Sequence, residues 1–225
     1  MQKINIAIDG PAGAGKSTIA KLVAARLGFL YVDTGAMYRA MTVKALRQGV
    51  DLNNDAALEN MANNTSVRLV LDPGKNQQVF LDDEEVTVEI REPIITKNVS
   101  RVSAVPGLRE RLVGLQQQMG EDGGVVMDGR DIGTKVLPNA QVKFFMTASI
   151  AERAKRRYLE LVAKGLQVEL NQIEQELALR DKLDSERAVS PLVKADDAEL
   201  VDTSNLNIEQ VVELLVQKIA QYGAH

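Results

Sequence analysis

Ile4, Ile6 and Ile8 alternate with polar or small residues along Met1–Asp9, the pattern of a short strand, and a glycine-rich turn follows. Between Lys16 and Leu27 the apolar positions Ile19, Leu22, Val23 and Leu27 share one helical face, and Gly28 is a stop signal. Phe29–Val32 reads as a second buried strand, Thr34–Gln48 as a helix closed by Gly49, and Asp55–Asn64 as a shorter helix. The texture then changes. Val67–Leu71, Val79–Leu81 and Val86–Val88 are short β-type runs, separated by Asp72-Pro73-Gly74-Lys75 and by the acidic Asp82-Asp83-Glu84-Glu85. They predict a small antiparallel meander inserted into an αβ chain.

Helical periodicity returns over Glu92–Val105 and Pro106–Met119, with Pro106 suited to a first turn. Gly123-Gly124 lead into a strand at Val125–Asp128, and further strands are expected at Val142–Met146 and Ala198–Val201. Charged helices are expected at Ser149–Lys164 and Glu169–Lys182, on either side of Gly165. The last helix, Ile208–Gln221, begins after Asn207 with Gln210 three residues on, a capping-box start. Strands spaced by helices predict an α/β fold with a five-stranded parallel sheet covered on both faces.

Composition narrows the chemistry. The chain has 225 residues, 45% hydrophobic and 26% charged, enough to build a core without disulfide or metal staples. Lys and Arg number 27 against 31 Asp and Glu, and this net charge of -4 disfavours non-specific binding to nucleic acid. Aromatic residues are 4% with no Trp, so a base-stacking platform is not expected either. There is no cysteine, which excludes disulfides, thiolate metal sites and thiol catalysis. The one histidine is the last residue, His225, which leaves no histidine for acid–base catalysis. No apolar stretch approaches the roughly 18 residues of a membrane span. The N-terminus has no signal-peptide core, so the expected location is cytoplasmic; nothing in the sequence demands a partner, so the default state is a monomer.

Gly10-Pro11-Ala12-Gly13-Ala14-Gly15-Lys16-Ser17, followed by Thr18, matches G-x-x-x-x-G-K-[ST] in full and sits between a predicted strand and a predicted helix. Glycines let successive N–H groups turn inward onto phosphate oxygens, and the helix start adds its positive end. Lys16 supplies a charge between the β- and γ-phosphates, and Ser17 a hydroxyl for Mg²⁺. No Asn-Lys-x-Asp guanine-reading segment occurs. The third strand ends in Met127-Asp128-Gly129-Arg130 without an adjacent Glu to activate water, which favours transfer to an acceptor over hydrolysis.

Asp33-Thr34-Gly35-Ala36-Met37-Tyr38-Arg39 follows the second strand and Asp128-Gly129-Arg130-Asp131 the third, at the sheet edge where such proteins bind ligands. Arginines converging there suit a phosphorylated acceptor. Arg153, Arg156 and Arg157 share a helix face, and Arg180, Asp181, Asp184 and Arg187 follow. Such a run reads equally as a solvated charged face or as a lid whose arginines close on the transferring phosphoryl group. Asp33 and Asp128 are both candidates to organise the Mg²⁺ shell.

The cradle Gly10–Thr18, the segment Asp33–Arg39, the block Asp128-Gly129-Arg130-Asp131-Ile132-Gly133-Thr134 and the tail from Arg180 to Leu192 together resemble the bacterial cytidylate kinases. The order and spacing match over nearly the whole chain, including the inserted meander. The resemblance implies a P-loop kinase fold, with a core at about residues 1–34, 106–150 and 188–225. It further implies a monophosphate-binding region at about 35–105 and a helical lid at about 151–187. It implies phosphoryl transfer from ATP with Mg²⁺ to CMP and dCMP, with ATP held by Gly10–Thr18. Thr34, Arg39 and Arg130 would hold the CMP phosphate, with Tyr38 lining the pocket. Ser100, Arg109 and Asp131 would read cytosine, and Arg180, Asp184 and Arg187 would meet the sugar and its surroundings. Lys16, Arg130 and the lid residues Arg153 and Arg157 would be catalytic. Where relatives can carry Ser, Thr34 keeps the hydroxyl; where they can carry a further arginine in the tail, this chain has Leu183, so that contact does not transfer. Kinases for UMP, AMP or shikimate, a non-catalytic nucleotide-binding module and a nucleic-acid-dependent ATPase are the rival readings.

Overall fold

The computed structural model describes residues 3–72 and 77–222. Met1, Gln2, His225 and the turn expected at Pro73–Lys75 lie outside the described residues. Eight strands and eight longer helices follow one another along them: β1 (Ile6–Asp9), α1 (Lys16–Leu27), β2 (Leu30–Asp33), α2 (Thr34–Arg47), α3 (Asp55–Asn63), β3 (Val67–Leu71), β4 (Gln77–Leu81), β5 (Glu84–Glu85), α4 (Pro93–Val102), α5 (Pro106–Met119), β6 (Val125–Gly129), β7 (Val142–Thr147), α6 (Ile150–Ala163), α7 (Leu170–Glu186), β8 (Glu199–Asp202) and α8 (Ile208–Tyr222). A 3-10 turn at Glu89–Arg91 and a π-helical turn at Ile132–Val136 complete the set.

The chain divides into two compact units, one of residues 1–31 and 122–225, the other of residues 32–121. In the first, the five-stranded parallel sheet has the order β2-β6-β1-β7-β8. Its central strands are buried throughout, hence their near-continuous apolar runs. Ile6, Ile8, Val126 and Phe144 of the sheet pack with Ile19 and Val23 of α1 and Val211 and Leu215 of α8. A smaller cluster joins Ala12 to Ala154 of α6 and to Ile173 and Leu177 of α7. Register matters for the chemistry: Ile8 lies opposite Asp128 and Asp9 opposite Gly129, so β1 and β6 end level. The Asn207–Gln210 capping box closes reciprocally, each side chain accepting the other's backbone N–H at 2.9 Å.

The second unit has its own core. Met37 and Met41 of α2, Leu58 of α3, Val79 and Leu81 of β4, Ile95 and Val99 of α4, and Leu108 and Leu112 of α5 bury together. The small sheet pairs β3, β4 and β5 in order, antiparallel. Its third strand is Glu84–Glu85 and not Val86–Val88 as the apolar pattern suggests. Leu81 pairs with Glu84, leaving Asp82 and Asp83 as a two-residue hairpin loop with φ of 47° and 68°. Turn geometry therefore sets the pairing, and the strand's carboxylates stay in solvent, where Arg47 meets Glu84 at 2.8 Å. The helix expected over Glu92–Val105 stops at Val102, because Val105 precedes Pro106 and takes an extended conformation, ψ 120°.

Helix α7 runs four residues beyond the expected Lys182, to Glu186, and the extension buries Asp184. Arg130 Nε donates to Asp184 Oδ2 at 2.8 Å, and Leu192 N–H donates to the Asp184 carbonyl at 2.8 Å, anchoring the end of α7. Burial alone would raise the Asp184 carboxyl, but the Arg130 and Arg180 charges outweigh it and hold the pKa below the ordinary value. The ion pair thus stabilises the fold above about pH 4, and that contribution is lost as pH falls through the lowered pKa. Asp184→Asn is expected to lower unfolding free energy by about 3 kcal/mol at pH 7, by stranding buried arginines. The deficit should shrink at pH 3; denaturant unfolding at the two pH values checks this, and a constant deficit would refute the ion-pair account.

Candidate active site

The cradle between β1 and α1 is built from left-handed glycines. Gly10, Gly13 and Gly15 have φ of 145°, 75° and 85°, a region other residues rarely adopt. At Gly10 space is also decisive: a Cβ there would lie 1.9 Å from the Met146 carbonyl oxygen, so the chain can pass β7 only without a side chain. Lys16 is buried, and its Nζ donates to the Pro11 carbonyl at 2.7 Å, folding the lysine over its own loop. Burial draws its ammonium down to about 7, the nearby Arg130 charge adding to the effect and Asp128 opposing it.

Two carboxylates stand at the level ends of the central strands. Asp128 accepts from Ser17 Oγ through Oδ2 at 2.8 Å and from Tyr31 Oη through Oδ1 at 2.8 Å. A serine hydroxyl beside a carboxylate is the oxygen donor set that Mg²⁺ favours. Asp33, the other candidate from the sequence, is engaged differently. It caps α2 by accepting from Ala36 N–H at 3.0 Å, and it pairs with Arg91 at 2.7 Å. Asp9, which no sequence motif singles out, is also buried and accepts from Ile132 N–H at 2.8 Å and Gly133 N–H at 2.7 Å. Burial pushes its carboxyl up to about 6, against the downward pull of those two N–H groups. Its position as the last residue of β1, immediately before Gly10, was the available signal.

Around this edge the first unit gathers Arg130, Asp131, Arg180, Asp184 and Arg187. Arg187 Nη2 lies 3.7 Å from Asp131 Oδ1, both side chains buried. Arg180 carries a buried Nε without a hydrogen-bond partner, and burial with the Arg130 charge lowers its pKa to about 10. A guanidinium held this way is disposed to receive an anion. On α6, Arg153 is buried against the cradle. It donates to the Ala12 carbonyl at 2.8 Å and the Ala148 carbonyl at 3.0 Å, and pairs with Asp181 at 2.7 Å. Asp181 in turn accepts from Ala12 N–H at 3.3 Å. Arg157 instead reaches Glu160 at 2.8 Å on its own helix.

The remaining sequence candidates belong to the second unit. Thr34, Tyr38 and Arg39 all project from α2, whose start is fixed by the Asp33 cap. Arg39 donates to Thr96 Oγ1 at 2.8 Å and to the Ile90 carbonyl at 3.3 Å. Arg109 of α5 is 1% exposed, so its charge is held inside this unit. It stacks over the Tyr38 ring at 4.9 Å and donates to the Ser103 carbonyl at 2.9 Å. Ser100 lies in the last turn of α4, where its carbonyl accepts from Ser103 Oγ at 3.1 Å.

Among the described residues no helix is long and apolar enough to cross a membrane. The family model described as cytidylate kinase matches residues 6–221. The cytidylate kinase of Pelotomaculum thermopropionicum is 55% identical over 96% of this chain and 96% of its own length. That of Bacillus licheniformis is 52% identical, again over 96% of both chains. Among solved structures, a gluconokinase from Sinorhizobium meliloti superposes with a TM-score of 0.51 at 12% identity, covering 97% of this chain and 93% of its own, a likeness of fold. With a glycine cradle, a strand-end carboxylate beside its serine and relatives matched end to end, this chain belongs to the cytidylate kinase family.

Proposed function

We propose that this chain transfers the γ-phosphoryl group of ATP to CMP and dCMP, giving ADP and the pyrimidine nucleoside diphosphate, as a monomer in the cytoplasm. The observation that carries the reading is the cradle with Lys16 and Ser17 beside Asp128, in a chain of this family. ATP occupies Gly10–Thr18, and its terminal phosphates replace the Pro11 carbonyl as the partner of Lys16. Ser17 and Asp128 would hold Mg²⁺, which would supply charge neutralisation at the β- and γ-phosphates. Asp33 is committed to Arg91 and to the α2 cap, so Asp128 is the better organiser of that shell.

An oxygen of the CMP phosphate attacks the γ-phosphorus, and the bond to the β–γ bridging oxygen breaks, leaving ADP. The attacking oxygen is already anionic, so no general base is needed. Catalysis is then positioning and charge stabilisation by Lys16 and Arg130. Arg153 and Arg157 belong to a lid of about residues 151–187, where Arg153 also steadies the cradle through Ala12. Thr34, Arg39 and Arg130 take the CMP phosphate, with Tyr38 beside them. Arg180, Asp184 and Arg187 meet the sugar and its surroundings; these contacts are peripheral, so dCMP is accepted.

Cytosine presents an amino donor beside two acceptors. The Asp131 carboxylate suits the donor, the Arg109 guanidinium suits the acceptors, and Ser100 completes the reading of the base. Uracil reverses the donor and leaves a buried carboxylate facing a carbonyl oxygen, which disfavours UMP.

ADP formation from Mg·ATP should be strong with CMP and dCMP, weak with UMP and AMP, and near zero without an acceptor; acceptor-independent hydrolysis would refute the assignment. Lys16→Ala should lower turnover on the order of a hundredfold or more, and near-normal turnover would remove Lys16 from the reaction. For Asp131→Ala the ratio of kcat/KM for CMP over UMP should fall while KM for ATP changes little. Equal losses with both acceptors would show that Asp131 does not read the base.

A further inference from the structure

We propose that Asp9 is a positioning residue for the acceptor nucleotide: its carboxylate pins the turn after β6 and so sets the backbone from which Arg130 and Asp131 project. Both carboxylate oxygens are used, Oδ1 by Ile132 N–H and Oδ2 by Gly133 N–H. These are the first two residues of the π-helical turn Ile132–Val136, whose N–H groups have no partner within the turn. The far side of the turn folds back on the preceding residue, with Lys135 N–H and Val136 N–H donating to the Asp131 carbonyl at 2.8 and 3.2 Å. On the other flank, Gly129 is paired in the sheet opposite Asp9 itself. Arg130 and Asp131 are therefore the two residues between a strand pairing and a carboxylate clamp, and Asp9 contributes to both.

Asn at this position offers one acceptor oxygen and turns an amide donor toward the second backbone N–H. One bond is lost and a like-polarity contact replaces it, so the turn must shift. Gly133 gives an independent way to press on the same turn. Its ideal Cβ would lie 3.1 Å from Lys143 Cδ and 3.4 Å from Asp9 Oδ2, and its φ is not left-handed. Alanine there keeps the Asp9 charge and crowds Lys143 Cδ, whose stem is held at its end by the Pro138 carbonyl and Asp197, so the contact presses on the turn.

The inference rests on the reading that Arg130 and Asp131 meet the acceptor. The competing role is electrostatic: Asp9 lies near enough to Lys16 to influence its charge, and through it the ATP phosphates. Steady-state kinetics of the full chain, with CMP and ATP varied separately, separates the two. Asp9→Asn and Gly133→Ala should each raise KM for CMP about tenfold while KM for ATP moves less than about twofold. An equal rise in both KM values, a rise for ATP alone, or no change in KM for CMP would overturn the proposal. Thermal melting of each variant accompanies the kinetics, and if Asp9→Asn does not fold, Gly133→Ala alone decides between the two roles. Asp131→Ala is measured alongside. An unchanged CMP-over-UMP preference in that variant would remove the base reading, whereas a CMP-selective KM effect at Asp9 would still stand through Arg130.

Discussion

Before any nucleotide arrives, several cations are already buried around the cradle, and holding them there is the constraint on which the first unit depends. Burying a guanidinium or ammonium without a partner is prohibitive, and removing one partner of a buried pair typically costs about 3–5 kcal/mol. The chain answers with carboxylates and carbonyls at short range: Asp184 for Arg130, Asp181 for Arg153, Asp131 for Arg187 and the Pro11 carbonyl for Lys16. Most of these pairs join distant stretches of sequence, so charge compensation also ties α6, α7 and the end of β6 to the cradle. The same cations are the groups a phosphoryl transfer needs, which makes the electrostatics of stability and of chemistry one problem.

Three strand-end aspartates show how neighbours assign a role. Asp128 faces two hydroxyls, Ser17 and Tyr31, and can exchange such neutral donors for a cation. Asp9 faces two backbone N–H groups at the start of a turn, so it is bound to the architecture of that turn. Asp33 combines a helix cap with an ion pair to Arg91. All three follow an apolar strand, and by residue type alone they are equivalent.

Much of the fold was legible along the chain. Elements with strong periodicity or explicit punctuation fall within a few residues of where the pattern puts them: α1 between its cradle and Gly28, α5 behind Pro106, and α8 behind its Asn207–Gln210 box. The departures have local physical causes. In the small sheet a pair of left-handed aspartates, not the apolar run, set where the third strand lies. The π-helical turn at Ile132–Val136 left no mark in the pattern, because its start is stabilised by Asp9, more than a hundred residues earlier. Helix α7 outlasted its apolar period because Asp184 has a buried partner, Arg130, just past β6.

Fold class, phosphate cradle and family are written in the chain itself, since they depend on short-range pattern: strand–glycine turn–helix order, and blocks such as Asp128–Thr134 that no periodicity requires. The same pattern identifies which side chains bear charge near the strand ends. What each of those charges is for emerges only once the chain is folded. A carboxylate's role follows from the donors within about 3 Å of it, and here those donors come from residues distant in the chain. Asp128 meets Ser17, Asp184 meets Arg130, and Asp9 meets Ile132 and Gly133. Parallel β-sheet topology brings such residues together, because it places the ends of non-consecutive strands side by side.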